Sequence, residues 1–384
     1  MILILLALLG SAPADAETSQ SVPLGAPSPA ATAQALPSPS PSSAATDGLA
    51  PAKIEAIEAL ISAAMTRLGI PGLSAAVVTE RRMRWSNAFG TADLENFIPA
   101  KRETVFRLAS VTKPITATAV LQLVEAGKVD LDAPIQRYVP AFPEKQWPVT
   151  VRHLLSHQAG IRNWTDEEFH NTRRFPTIAD SLAVFRDDPL LFEPGTRTQY
   201  TSLGYNLMGA VVEGVSGKPF LEYLHERVFT PAGMDAARGD DTLAIIPNRA
   251  AGYQITAGGE LRNSPMSDTS NRTAGGGLVA TAEDVARFAI AFQKGTLVKA
   301  STVQASFGRQ RTRDRQVTGY GLGWIIGGAA GRTEVYHTGG QPRVSTVLYM
   351  VPRSGFAVVL LCNLEGVSAP LLDLARQVAD TLLH

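Results

Sequence analysis

Phe106-Arg107-Leu108-Ala109-Ser110-Val111-Thr112-Lys113-Pro114 is the stretch on which the reading of this chain turns. It contains Ser-x-x-Lys and opens a predicted helix. Pro114 suits a first helical turn, where a missing N–H costs little. Ala117, Val120, Leu121, Val124 and Ala126 follow at mostly helical spacing, and Gly127 is a natural stop. Residues three apart share a helix face, so Lys113 can reach the Ser110 hydroxyl. The serine sits at the helix N-terminus, where free N–H groups and the dipole favour negative charge. A desolvated amine loses its proton more readily and can then act as a base toward that hydroxyl. Ser-x-x-Lys alone is common on solvated helix faces, so the tetrapeptide needs support from the rest of the chain.

The 384 residues carry 35 basic and 35 acidic side chains, and 45% are hydrophobic. That is enough for a sizeable core in one or two domains. The charge balance gives no reason to expect nucleic acid or an acidic surface as partner. The one cysteine, Cys362, excludes an intramolecular disulfide; it lies in an apolar run and reads as a small buried hydrophobe. The apolar run from Ile2 to Leu9, followed by Ala14-Asp15-Ala16, predicts a secretory signal over 1–16, although its start lacks Lys and Arg. It is too short for a stable membrane span. The protein is therefore expected to be exported, periplasmic or secreted. Residues 17–50 are rich in Ala, Pro and Ser and predict a disordered tether, with the folded domain at 51–384.

Ile54, Ile57, Leu60, Ile61, Met65 and Leu68 predict an amphipathic helix over 52–69. Residues 73–79 and 83–89 read as two strands joined by a tight charged turn. Helical patterns follow at 178–188, 202–216, 218–229 and 281–294. Strands are expected at 324–326, 335–338, 345–351 and 356–363, and a closing helix at 367–383. Strands at both sequence ends with helices between them imply an α/β (α+β) layer carrying a helical insertion, with a cleft between the two.

Two further stretches match the first. Arg197-Thr198-Gln199-Tyr200-Thr201-Ser202 places a tyrosine and a serine before a helix start, and Tyr336-His337-Thr338-Gly339-Gly340 ends a strand in polar groups and glycines. Glycine lets another backbone or a ligand approach closely. Together with Leu154-Leu155-Ser156-His157, Pro194-Gly195, Gly204-Tyr205-Asn206, Ala274-Gly275-Gly276-Gly277-Leu278 and Tyr320-Gly321-Leu322-Gly323-Trp324, the chain resembles the serine β-lactamase and penicillin-binding-protein superfamily. The resemblance is to its class C-like branch, and within that to the mitochondrial serine β-lactamase-like proteins. It covers about residues 52–384. It implies the β-lactamase/transpeptidase-like fold, an antiparallel sheet flanked by helices with an inserted helical subdomain and the active site between them.

The resemblance also implies roles. Ser110 is the nucleophile of an acyl-enzyme, Lys113 and Tyr200 move protons, and the N–H groups of Ser110 and Gly340 form the oxyanion hole. His337, Thr338, Gly339 and Ser202 contact substrate. It implies hydrolysis of peptide or D-amino-acid peptide bonds, with esters and weak β-lactam turnover as alternatives. Ser202 stands where the family has Asn, and His337 where it has Lys. A histidine would carry only partial charge near neutral pH, so both departures weigh against efficient β-lactamase activity. A different class of function, an assembly, filament-forming or penicillin-binding module with little turnover, is disfavoured by the intact Ser110, Lys113 and Tyr200. His153 and His157 are four apart but have no third ligand, so no metal site or cofactor is expected. Gly-x-Ser-x-Gly is absent. Ser267-Asp268-Thr269 reads as a loop, and the sequence sets no oligomeric state.

Overall fold

The computed structural model describes residues 45–329 and 331–383. The expected signal over 1–16, and the tether as far as residue 44, lie outside the described residues. The centre of the fold is one antiparallel sheet. Its strands are β1 (Ala45–Thr46), β2 (Gly72–Thr79), β3 (Arg82–Asp93), β4 (Ile98–Pro99), β5 (Ile325–Ala329), β6 (Arg332–Gln341), β7 (Val344–Val351) and β8 (Phe356–Cys362). They lie in the order β1-β3-β2-β8-β7-β6-β5, with β4 pairing the far end of β3.

Each strand's sequence explains its place. Phe356 to Cys362 is apolar throughout because both faces of β8 are covered. Ala357, Val359 and Leu361 point into one core, and Phe356, Val358, Leu360 and Cys362 into the other. The second core is closed by α1 (Pro51–Leu68) and α5 (Ser368–Leu383), through Ile57, Ile61, Met65, Leu371, Leu374 and Val378. The first core holds α2 (Thr112–Glu125), α3 (Leu203–Ser216), α4 (Ala282–Gln293) and the rest of the helical insertion. Burying these two faces supplies most of the stability, at about 25 cal/mol per Å² of apolar surface. The charged turn between β2 and β3 holds Glu80 and Arg81 at φ 53° and 57°, the left-handed pair that a two-residue hairpin turn requires.

Three expectations change. Residues 45–50, assigned to the tether, are part of the fold. Ala45 and Thr46 pair with Ser86 and Trp85, the Asp47 N–H donates to the Arg84 carbonyl, and Leu49 packs on the second core. A two-residue edge strand has no periodicity to read. The helical pattern at 178–188 forms a helix only over Ile178–Leu182, whereas the one at 218–229 is helical from Phe220, as an α-helix over Phe220–Leu224 and a π-helix over His225–Phe229. The strand expected at Trp324 starts at Ile325.

At the other edge of the sheet, β5 pairs with β6 only as far as Ile325 opposite Tyr336. Past that point the chain turns away, and residues 337–341 of β6 keep β7 on one side and no strand on the other among the described residues. Alternate residues of an antiparallel edge direct their N–H and C=O outward. This open edge faces Ser110.

Candidate active site

Ser110 is presented by a strained turn. Phe106 and Arg107 pair with Ala280 and Val279, and the Leu108 N–H donates to the Leu278 carbonyl, so the approach is fixed. The chain then reverses through Ala109 at φ 47°, a left-handed conformation unusual for a residue with a Cβ. A 3-10 turn over Ala109–Val111 runs straight into α2. The Thr346 hydroxyl clamps the turn by donating to the Leu108 carbonyl at 2.8 Å. Gly339 is required here: a Cβ on it would lie 2.1 Å from Thr346 Oγ1, 2.6 Å from the Leu108 carbonyl oxygen and 3.0 Å from Ala109 Cβ. The open edge of β6 is thus pressed against the nucleophile's turn.

One helical turn after Ser110, Lys113 is completely buried. Its Nζ lies 3.0 Å from Ser110 Oγ, 2.9 Å from Ser202 Oγ and 2.6 Å from the Gly275 carbonyl oxygen. No carboxylate pairs with it among the described residues. Burial, helped by the buried Arg272 guanidinium, holds its pKa well below the ordinary lysine value. Arg272 stacks over Trp164 and Phe169 and donates to the Glu168 and Phe169 carbonyls. Burial lowers its own pKa to about 10.

From the opposite wall, the half-buried Tyr200 donates its phenol to Ser110 Oγ at 2.7 Å. Burial pushes the Tyr200 pKa up, and hydrogen bonds with Ser110 and Ser202 oppose that rise. Tyr200 rests on His157, with ring centres 4.5 Å apart, and His157 also touches Tyr205 and Tyr320. The His157 Nδ1 accepts from the Thr201 N–H, so its imidazole is neutral, and burial keeps its pKa well below the usual value. His153 lies apart from it, capping the helix Val151–Leu155 through Thr150.

His337 departs from expectation. It is 2% exposed, its Nδ1–H donates to the Thr338 carbonyl at 2.7 Å, and burial, with the Lys113 charge adding to it, pushes its pKa down to about 3. It therefore carries no charge near neutral pH. Thr338 is half-buried and Gly340 exposed on the open edge.

The structure brings together Ser110, Lys113, Tyr200 and Ser202, and sets His337, Thr338 and Gly339 beside them. Ser202, expected to contact substrate, bonds Lys113. The supporting groups that the sequence reading left without a role are His157, the Gly275 carbonyl, Arg272, and Asn163, whose Oδ1 accepts from the Ser202 N–H. All four fall in or near phrases visible in the sequence, but only folding shows which atom each one offers.

The Beta-lactamase family profile matches residues 57–383. The mitochondrial serine beta-lactamase-like protein LACTB of Homo sapiens is 27% identical, over 82% of this chain and 77% of its own length. Penicillin-binding protein 4 of Amycolatopsis lactamdurans is 30% identical, over 82% of this chain and 86% of its own. Among solved structures, the D-amino acid amidase of Ochrobactrum anthropi SV3 superposes with a TM-score of 0.75 at 25% identity, covering 86% of this chain and 98% of that one.

Proposed function

The chain belongs to the Beta-lactamase family, and we propose that it is a serine acyl hydrolase acting through a Ser110 acyl-enzyme on peptide or D-amino-acid peptide bonds, with esters accepted at the same site. One observation carries this reading. Ser110 Oγ stands between Tyr200 Oη at 2.7 Å and a fully buried, carboxylate-free Lys113 Nζ at 3.0 Å.

The hydrogen-bond count fits a neutral amine. Such a group has two N–H bonds and one lone pair. The Gly275 carbonyl and Ser202 Oγ take the two N–H bonds, which leaves the lone pair for the Ser110 hydroxyl. As Ser110 Oγ bonds to the substrate carbonyl carbon, its proton passes to Lys113, whose three N–H bonds are then all accepted. The carbonyl oxygen takes up negative charge against the Ser110 and Gly340 N–H groups. Tyr200 protonates the leaving group as the carbonyl bond to it breaks. The Ser202 hydroxyl, which bonds both Lys113 and Tyr200, offers the route by which Tyr200 regains a proton. Water then takes the leaving group's place and the steps reverse. An extended substrate pairs with the open edge at 338–340.

The neutral His337 supports amides and esters over β-lactams, which carry a carboxylate that family members hold with a fixed cation at this position. The D-amino acid amidase in the same fold favours the same substrate class. The test is a fluorophosphonate adduct located by mass spectrometry. Labelling of Ser110 in the native chain, absent in Ser110→Ala, is the expected result; unchanged hydrolysis by Ser110→Ala would sink the reading.

A further inference from the structure

Outside the catalytic cluster, the strongest concentration of charge is Arg309-Gln310-Arg311-Thr312-Arg313-Asp314-Arg315-Gln316. It holds four arginines and one aspartate in a chain whose net charge is zero. All four arginines are exposed. The segment is an ordered hairpin. Arg311 bridges Val317, the Thr312 N–H donates to the Gln316 carbonyl at 3.0 Å, and the Gln310 N–H donates to the Tyr320 carbonyl at 2.7 Å. Arg313 at the tip is the arginine that is neutralised, by Glu193, and its N–H donates to the Gly195 carbonyl. The Arg315 carbonyl accepts from the Arg311 guanidinium at 2.8 Å, and the Arg315 guanidinium itself has no hydrogen-bond or ion-pair partner among the described residues. Arg197, also exposed, stands on the same turn as Glu193 and Gly195, stacked on Phe192.

The hairpin's position gives this charge a use. Its base ends at Tyr320, which bridges Ile325, the first residue of β5, and the edge of β6 is open beyond Tyr336, the partner of Ile325. Tyr320 meets His157 edge-to-face, and His157 packs on Tyr200. The hairpin tip rests on the 193–197 turn that leads into Tyr200. A strand laid on the open edge would run at its Tyr336 end into Tyr320 and then out along the hairpin. That is the Tyr200 side of Ser110, where the leaving group departs. Near the nucleophile Lys113, His337 and Arg272 are all buried, and His337 is uncharged near neutral pH, so none offers an exposed cation to an anionic substrate. On the leaving-group side, anion recognition is therefore available further out, a few residues of extended chain from the scissile bond.

We propose that the Arg309–Val317 hairpin docks the leaving-group side of an acidic substrate, holding carboxylates a few residues beyond the bond that Ser110 attacks. The proposal rests on the acyl-hydrolase reading and adds the substrate's charge. Exposed arginines around a cleft raise the local concentration of anionic ligands, and salt removes the effect.

The test uses two esters with one acyl group. Butyrate is attached to the hydroxyl of glycolyl-(Asp)4-amide or of glycolyl-(Asn)4-amide, and p-nitrophenyl butyrate serves as reference. At low ionic strength the native chain should hydrolyse the aspartyl ester with a kcat/KM roughly tenfold above the asparaginyl one. At about 0.5 M salt, where screening acts within a few ångströms, the ratio should approach one. Arg311→Gln with Arg315→Asn should lower the low-salt ratio severalfold; Asn suits the left-handed φ of 68° at 315. Because the readout is a ratio within one protein, loss of folded enzyme cancels, and the salt series needs no variant at all. A ratio near one at low salt, or a ratio the double variant leaves intact, shows a solvated charged face only and overturns the proposal. If p-nitrophenyl butyrate and both peptide esters resist any Ser110-dependent hydrolysis, the acyl-hydrolase reading fails first and the docking proposal with it.

Discussion

The two edges of the central sheet have opposite fates. The far edge, along β3, is covered by β1 at Ser86 and Trp85 and by β4 at Thr91 and Asp93. The near edge is covered by β5 only to Tyr336, and residues 337–341 stay open beside Ser110. Open edges invite unwanted pairing, and folded proteins usually close them. An edge left open against a nucleophile, with glycines at 339 and 340, indicates that an incoming strand belongs there. Changes near the open edge should therefore cost activity, and changes at the closed edge should cost only stability.

The largest effect is expected where the open edge meets the chemistry. Lys113→Arg keeps a cation but cannot present a neutral amine near pH 7. Its acylation rate, read as fluorophosphonate or ester kinetics, should fall by about 10²-fold or more. In the native chain, kcat/KM should rise with pH through the depressed Lys113 pKa as the amine loses its proton, and then level off. Burial raises the Tyr200 pKa, so no loss from the phenol is expected within the ordinary tyrosine range. Near-native acylation by Lys113→Arg would assign the base elsewhere, most directly to Tyr200.

Next comes the edge itself. In Gly339→Ala the new methyl would meet the Leu108 carbonyl at 2.6 Å as well as Thr346 Oγ1, and a backbone atom cannot simply rotate away. Overpacking of this kind costs about 1–3 kcal/mol, and here it would displace the turn that carries Ser110. The expected result is a kcat loss larger than the fall in melting temperature explains. Equal activity per folded molecule would show that β6 does not set the nucleophile's position.

How much of this was legible follows the same division. Ser110, Lys113, Tyr200 and the His337–Gly340 strand end were readable because their chemistry is written in side chains and glycines at short spacing. The long apolar strands and α1 were readable from periodicity. The Gly275 carbonyl was not, since a backbone oxygen 162 positions from Lys113 has no residue-type signature. The charge of His337 was misjudged from its ordinary pKa, because sequence carries no measure of how deeply a strand end is buried. β1 was hidden in tether-like composition, since its two residues gain their structure from β3.

The imidazole beside the open edge gives a smaller, pH-dependent effect. His337 titrates at about 3 in the fold and near 6.5 when unfolded. Between those values the unfolded chain binds a proton that the folded chain does not. Its contribution to stability is thus complete above about pH 6.5 and is lost as pH falls toward 3, by up to about 1.4 kcal/mol per pH unit. The buried His157 acts in the same direction. His337→Gln should flatten the acid side of a melting-temperature profile while leaving it little changed above pH 7. An acid limb equally steep in the variant would assign the loss to other groups.

The smallest effect is expected at the closed edge. Removing the chain up to Ala50 strips β1 from β3. It breaks the pairing of Ala45 and Thr46, the Asp47 N–H bond to the Arg84 carbonyl, and the partial packing of Leu49. The Arg84–Asp47 ion pair, at 3.9 Å with Asp47 exposed, adds little. Net backbone hydrogen bonds contribute about 1 kcal/mol each, and the conformational entropy lost on ordering the segment offsets much of that gain, so its net contribution is small. A chain starting at Pro51 should melt a few degrees below one starting at Ala45, with kcat/KM unchanged, because β3 is separated from β6 by β2, β8 and β7. The paired measurement is melting temperature and ester turnover for the two chains. A drop in turnover per folded molecule would show that the two edges communicate through the sheet, and the division between an edge for chemistry and an edge for stability would fail.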